Sequence, residues 1–133
     1  MIVLDASVAV SWLLNEGAAP ELDRQLAERL IVVPAHWTIE VGNAILKALR
    51  RKTIAHERLA IIESSLSILD LTIEPPLGVA SVLPLVAFAH EHGLSTYDAG
   101  YVHLAWKRGA ALASFDKTMQ KAAERLGVQL VIT

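Results

Sequence analysis

The chain has 133 residues, no cysteine and a formal net charge of -2, with a pI of about 6.2. This length predicts a single domain over residues 1–133 with one hydrophobic core. The missing cysteines exclude disulfides and thiolate metal sites, and the charge balance excludes a nucleic-acid binder that works through a bulk positive field.

Hydrophobic residues make up 53% of the chain and the mean hydropathy is +0.43. That excess predicts an interface in addition to a core, either a homodimer or a partner groove. No window reaches the roughly 18 unbroken apolar residues that a membrane span needs; the best, Leu77 to Ala89, contains Pro84. The N-terminus has no basic segment before its apolar run and carries Asp5 within it, so it does not read as a secretory signal. A cytoplasmic protein is expected.

Along the chain, short apolar runs alternate with longer stretches of helical period. Ile2 to Leu4 reads as a buried strand and Ser7 to Leu14 as a short helix. A second helix starts near Pro20, with Leu22, Leu26 and Leu30 on one face, and Ile31 to Val33 is a strand closed by Pro34. From Ala35 to about Arg51 the apolar residues Trp37, Val41, Ile45 and Leu49 recur every four positions, which predicts the longest helix. His56 to Leu69 is a further helix, and Leu71 to Glu74 a strand ended by Pro75 and Pro76. Helices follow at Val79 to His92 and Tyr97 to Lys107, stopped by Gly93 and Gly109. Ala111 to Phe115 reads as a strand, Lys117 to Leu126 as a helix, and Val128 to Ile132 as a closing strand. Strands alternating with helices predict an α/β fold with a mostly parallel sheet covered on both faces.

Three aspartates share a setting in this pattern. Asp5 and Asp116 each follow a predicted strand and precede a helix, and Asp98 lies in the first turn of a helix. In an open parallel sheet, ligands bind outside the carboxyl ends of the strands. Aspartate is also a favoured N-cap, and Ser95-x-x-Asp98 resembles a capping box, so a cap reading stands beside a ligand reading for all three. Glu40 lies further inside its helix, beside Val41, with Asn43 three residues on. If these four carboxylates converge, each pair at about 5 Å repels by roughly 3 kcal/mol at an effective dielectric of about 20. A hard divalent cation would relieve that repulsion, and an all-oxygen donor set suits Mg²⁺ or Mn²⁺.

Four ordered segments carry a resemblance: IVLDASVAVSWLL at 2–14, PAHWTIEVGNAILKAL at 34–49, STYDAGYVHLAW at 95–106 and LASFDKTMQKAAERLGV at 112–128. With these the chain resembles the PIN-domain ribonucleases, and among them the VapC-type toxins of bacterial toxin–antitoxin pairs. The resemblance implies a three-layer α/β/α PIN-like fold and metal-dependent hydrolysis of RNA. It places Asp5, Glu40, Asp98 and Asp116 as the catalytic and metal-binding acids, with Mg²⁺ or Mn²⁺ as cofactor. It also puts Ser7 and Ser114 beside the substrate, where the alternative is a serine bonding to nearby backbone. The partners it implies are RNA and a small VapB-like antitoxin seated in a groove of the helices Pro20–Leu30 and His56–Leu69, with Leu59, Ile62, Leu66 and Leu69 as its apolar stripe, where the alternative is plain core packing; the homodimer is expected from the apolar excess.

Other features carry competing readings. A PIN-like module that has lost activity and only binds a protein would explain the apolar excess. An aspartyl-phosphate phosphatase would use Asp5, but that chemistry usually wants a second Asp where this chain has Ser7. His90-x-His92 has the look of a metal pair but sits at a helix end, where it reads as dipole compensation, and His103 reads as a packed, hydrogen-bonded histidine. Arg50, Arg51, Lys52, Lys117 and Lys121 read as a charged surface or as phosphate contacts. Trp12, Trp37 and Trp106 read as core or interface residues.

Overall fold

A computed structural model describes residues 1–14 and 20–131. In chain order the elements are β1 (Ile2–Leu4), α1 (Ala6–Leu14), α2 (Pro20–Glu28), β2 (Ile31–Val33), α3 (Trp37–Arg50), α4 (Arg58–Ser67), β3 (Leu71–Ile73), a 3₁₀ turn (Val79–Ser81), α5 (Val82–His92), α6 (Thr96–Arg108), β4 (Ala111–Ala113) and α7 (Lys117–Arg125).

The strands are short because each spans only the thickness of the core. Residues of β1, β2 and β4 are buried on both faces, the pattern of a parallel sheet sandwiched between helices. The sheet is all parallel, in the order β3-β2-β1-β4. Its register sets Ile2 beside Ile31 and Ala111, and Ile31 beside Leu71. On one side α1 packs on α3 and α4; on the other α6 packs on α5, α7, β1 and β4. The result is the three-layer α/β/α architecture with a parallel central sheet that the sequence predicts.

Two boundaries differ instructively. The predicted strand Ala111 to Phe115 stops at Ala113, since the next residues turn away to build the start of α7. The closing strand reduces to a single parallel bridge between Leu130 and Leu112, and Ile132 lies outside the described residues. Pro84 sits in the first turn of α5, where its missing N–H has no helical partner to lose. Gly109 ends α6 at φ 62°, a left-handed conformation that glycine adopts without strain, and its N–H closes back on the helix.

The α4 stripe takes the core-packing alternative. Ile62 is buried and Leu59, Leu66 and Leu69 pack against the core, so that stripe is core packing. The apolar side chains that α4 and its C-terminal end leave exposed are Ile61 and Ile68. Of the tryptophans, Trp37 is buried, Trp12 donates its indole N–H to Asp23, and Trp106 is half exposed.

Candidate functional site

β1 ends at Leu4, but the ladder runs one bond further, with the Asp5 N–H donating to Ala113 O at 3.0 Å. The Asp5 carbonyl then accepts the first N–H groups of α1, from Val8 and Ala9. The backbone of Asp5 is thus held on both sides, and its side chain stands at the carboxyl edge of the sheet, 6% exposed. A carboxylate so buried needs donors. Two serines supply them: Ser7 Oγ donates to Asp5 Oδ2 at 2.6 Å, and Ser114 Oγ to the same oxygen at 2.9 Å. No hydrogen bond reaches Oδ1 from the described residues. The cap reading of the Asp5 side chain is therefore set aside, because its carboxylate bonds hydroxyls and takes no helix N–H.

Ser114 is fixed in turn. It is 1% exposed, its carbonyl accepts from Gln120 Nε2 at 2.6 Å, and its Oγ accepts from the Asp116 N–H at 3.1 Å. Asp116 is exposed and caps α7, with Oδ1 accepting from the Met119 N–H at 2.9 Å. Asp98 stands in the first turn of α6, where Ser95 Oγ accepts its N–H at 3.1 Å. Its carboxyl titrates above the ordinary range. Burial is the largest cause, and the charges of Asp116 and Asp5 push the same way, against the Ser95 hydroxyl and His36. Ser114 joins Asp5 to Asp116, and Asp98 lies near enough for both charges to act on it.

Glu40 reaches the same neighbourhood by another route. Its Oε1 accepts from the Tyr101 hydroxyl at 2.9 Å and lies 3.3 Å from His36 Nε2. Tyr101 is fully buried, and its hydroxyl is held strongly protonated by burial, by its bond to Glu40 and by the charges of Glu40 and Asp5. His36 Nε2 also lies 3.1 Å from the Tyr97 carbonyl. Both of its neighbours are acceptors, so Nε2 carries the proton. The His36 ring packs edge-on against Tyr101, centroids 5.0 Å apart, and against Tyr97, at 5.7 Å.

The structure thus gathers Asp5, Asp98 and Asp116 with both serines, and sets Glu40 beside them through Tyr101. Among the described residues, no group of three or more His, Asp or Glu side chains has closed to metal-holding geometry. His36 and Tyr101 are absent from the sequence expectations; the available signals were His36 four residues before Glu40 and a glycine inside α6. His103 packs against Phe88 and Trp106 by ring contacts and makes no hydrogen bond among the described residues, which corrects half of its expectation. Burial, with the Lys107 charge adding to it, pushes its imidazole below the ordinary value. Arg50, Arg51, Lys52, Lys117 and Lys121 are all exposed, and no helix among the described residues is long and apolar enough to cross a membrane.

Residues 2–125 match the family model described as the PIN domain. The chain is 41% identical over 69 residues to Ribonuclease VapC12 from each of two strains of Mycobacterium tuberculosis, an alignment covering 51% of this chain and 54% of each relative. The chain therefore spans about half the length of the curated relatives it matches. The crystal structure of PAE2754 from Pyrobaculum aerophilum superposes with a TM-score of 0.65 at 21% identity, covering 95% of this chain and 96% of that one, which shows a shared fold. The family match runs through all four elements that carry the acids, from β1 into α7, and the chain belongs to the PIN domain family.

Proposed function

We propose that this chain is a single PIN-like domain acting as a metal-dependent endoribonuclease, the toxin of a toxin–antitoxin pair. The observation that supports this reading is the linkage of Asp5 and Asp116 through Ser114, at 2.9 and 3.1 Å, at the carboxyl edge of the sheet; beside burial, the charges of both acids act on Asp98. The name of the M. tuberculosis relatives supports the same activity.

The donor set fits Mg²⁺ or Mn²⁺: all its atoms are carboxylate oxygens, and these ions bind through one or two carboxylates while keeping several waters. A preformed three-acid cage is not required for that mode. Asp5 and Asp98 are the main ligands in this reading, with Glu40 and Asp116 completing the shell directly or through water. When bound, the ion supplies Lewis-acid activation and offsets charge on the phosphate. Ser7 and Ser114 hold the Asp5 carboxylate by Oδ2, which leaves Oδ1 for the ligand. Tyr101 and His36 position Glu40.

The antitoxin reading rests on a groove of about 300 Å³ lined by Trp12 and Leu13 of α1, Asp23 and Leu26 of α2, and Ile68 and Leu69 after α4. The homodimer reading rests on Val79, Val82, Leu83 and Val86, which stand exposed together at the start of α5. The purified protein should cut RNA with Mg²⁺ or Mn²⁺, and EDTA or Asp5→Asn should abolish cutting. Cleavage that persists in the Asp5→Asn/Asp98→Asn double variant overturns the reading.

A further inference from the structure

A second concavity opens on the same edge of the sheet as the acids. It has a volume of about 330 Å³ and lies beyond the carboxyl ends of β2 and β3. Pro34 follows β2, and Glu74, Pro75 and Pro76 follow β3; α6 closes the other side with Tyr97, Gly100, His103 and Lys107. Its lining is mainly apolar with a few polar groups, the usual make-up of a small-molecule pocket. β2 neighbours β1, so the cavity stands one strand away from the strand that ends in Asp5.

The two sites share a residue. His36 lines the cavity and also contacts Glu40 at 3.3 Å, and Tyr97 lines it while standing next in sequence to Asp98. Tyr97 is 62% exposed, with the His36 ring edge-on at 5.7 Å as its one ring contact among the described residues. Lys107 adds a cation to the lining. Glu74 is anchored by Arg108 at 2.8 Å through Oε1, and Oε2 remains an available acceptor.

From this arrangement we infer that the cavity is a nucleobase subsite. One base of a single-stranded RNA stacks against Tyr97 among Pro75, Pro76 and Leu77, while a neighbouring phosphate lies at Asp5 and Asp98. The inference deepens the nuclease reading and rests on it for the identity of the strand. It makes Tyr97 and Leu77 binding residues, and Glu74 an acceptor for the base edge. Stacking on an aromatic ring contributes about 1–3 kcal/mol per base, which corresponds to roughly tenfold or more in affinity.

The test is fluorescence anisotropy with a labelled single-stranded hexanucleotide RNA and an abasic oligomer of the same length. It is run with Mg²⁺ in an Asp5→Asn background so that no strand is cut. Tyr97→Ala, by removing the stacking ring, should weaken RNA binding about tenfold, Leu77→Trp should weaken it comparably by filling the cavity that Leu77 lines, and both should leave the weaker abasic binding unchanged. Leu77 is exposed in a loop, so the second variant keeps the fold if the first does not. Two results overturn the subsite: RNA affinity within twofold of the parent in both variants, or an abasic oligomer bound as tightly as RNA. A Leu77→Trp variant that turns a dimer into a monomer while keeping its RNA affinity also overturns it, by assigning the cavity to an interface between copies. A chain that cuts no RNA yet loses base-dependent binding in the variants refutes the nuclease reading and sustains the subsite. One that cuts RNA while the variants bind unchanged does the opposite.

Discussion

The ring of His36 lies directly over the backbone of Gly100, so close that a β-carbon at residue 100 would stand 2.7 Å from His36 Cε1. A glycine inside a helix costs about 1 kcal/mol relative to alanine, and here the close approach of a ring explains it. Gly100→Ala should regain helix propensity and push the His36 ring off Glu40. Because misplacing a positioned group by about 1 Å can cost up to roughly a hundredfold in rate, RNA cleavage should fall at least about tenfold while the far-ultraviolet circular dichroism stays that of the parent. Unchanged cleavage would remove His36 from the positioning of Glu40.

Ser114 Oγ has three neighbours at once, Asp5 Oδ2, the Asp116 N–H and, weakly, Met119 Sδ. Alanine at 114 strips one donor from a buried carboxylate and leaves the Asp116 N–H without its acceptor. The expected loss is about 1–3 kcal/mol, measured by urea denaturation at neutral pH. Ser7→Ala, at an exposed position, should lose less.

Asp98 gives a pH signature. Its folded pKa is raised above the ordinary 3.8, so the folded state holds that proton more tightly than the unfolded one. The stability this contributes is present below the ordinary pKa and is lost as pH rises through the raised value. Asp98→Asn mimics the protonated form at every pH. In EDTA, the variant should melt with the parent near pH 3.8 and above it at pH 7, as read by calorimetry. A variant that melts below the parent at pH 7 would contradict the repulsion assigned to this crevice.

A bound divalent ion stabilises by mass action, about 2.7 kcal/mol at a hundredfold excess over its dissociation constant. Millimolar Mg²⁺ or Mn²⁺ should therefore raise the melting temperature of the parent. The Asp5→Asn/Asp98→Asn variant should show no such rise, and an equal rise in both would place the ion elsewhere.

The order of elements was legible because strands and helices leave different periods, and Asp5, Asp98 and Asp116 could be found because each sits where one period gives way to another. Tyr101 and His36 were hidden for a physical reason. Tyr101 lies among Val102, Leu104 and Ala105, where any aromatic reads as core; its hydroxyl becomes informative only when folding brings it to Glu40, 61 residues away in sequence. Ser114 reads as bonding either nearby backbone or substrate; the fold gives its Oγ the Asp116 N–H, as the backbone reading has it, together with the carboxylate of Asp5. The closing strand was overread because Val128–Ile132 is apolar, and an apolar run does not say how many ladder bonds it makes.

The bond from Ser114 to Asp5 joins residues 109 apart in sequence, and β1 pairs with β4 across the same separation, Ile2 beside Ala111. Pairing of that span comes late in folding, because the loop must close before the contact rewards it. During synthesis, a nascent chain that has not yet delivered β4 leaves one side of β1 bare and the first acid without its buried donor. The crevice is therefore completed only after β4 has been made and paired. In the nuclease reading proposed above, the topology of the sheet withholds the buried donor of Asp5 until β4 is in place.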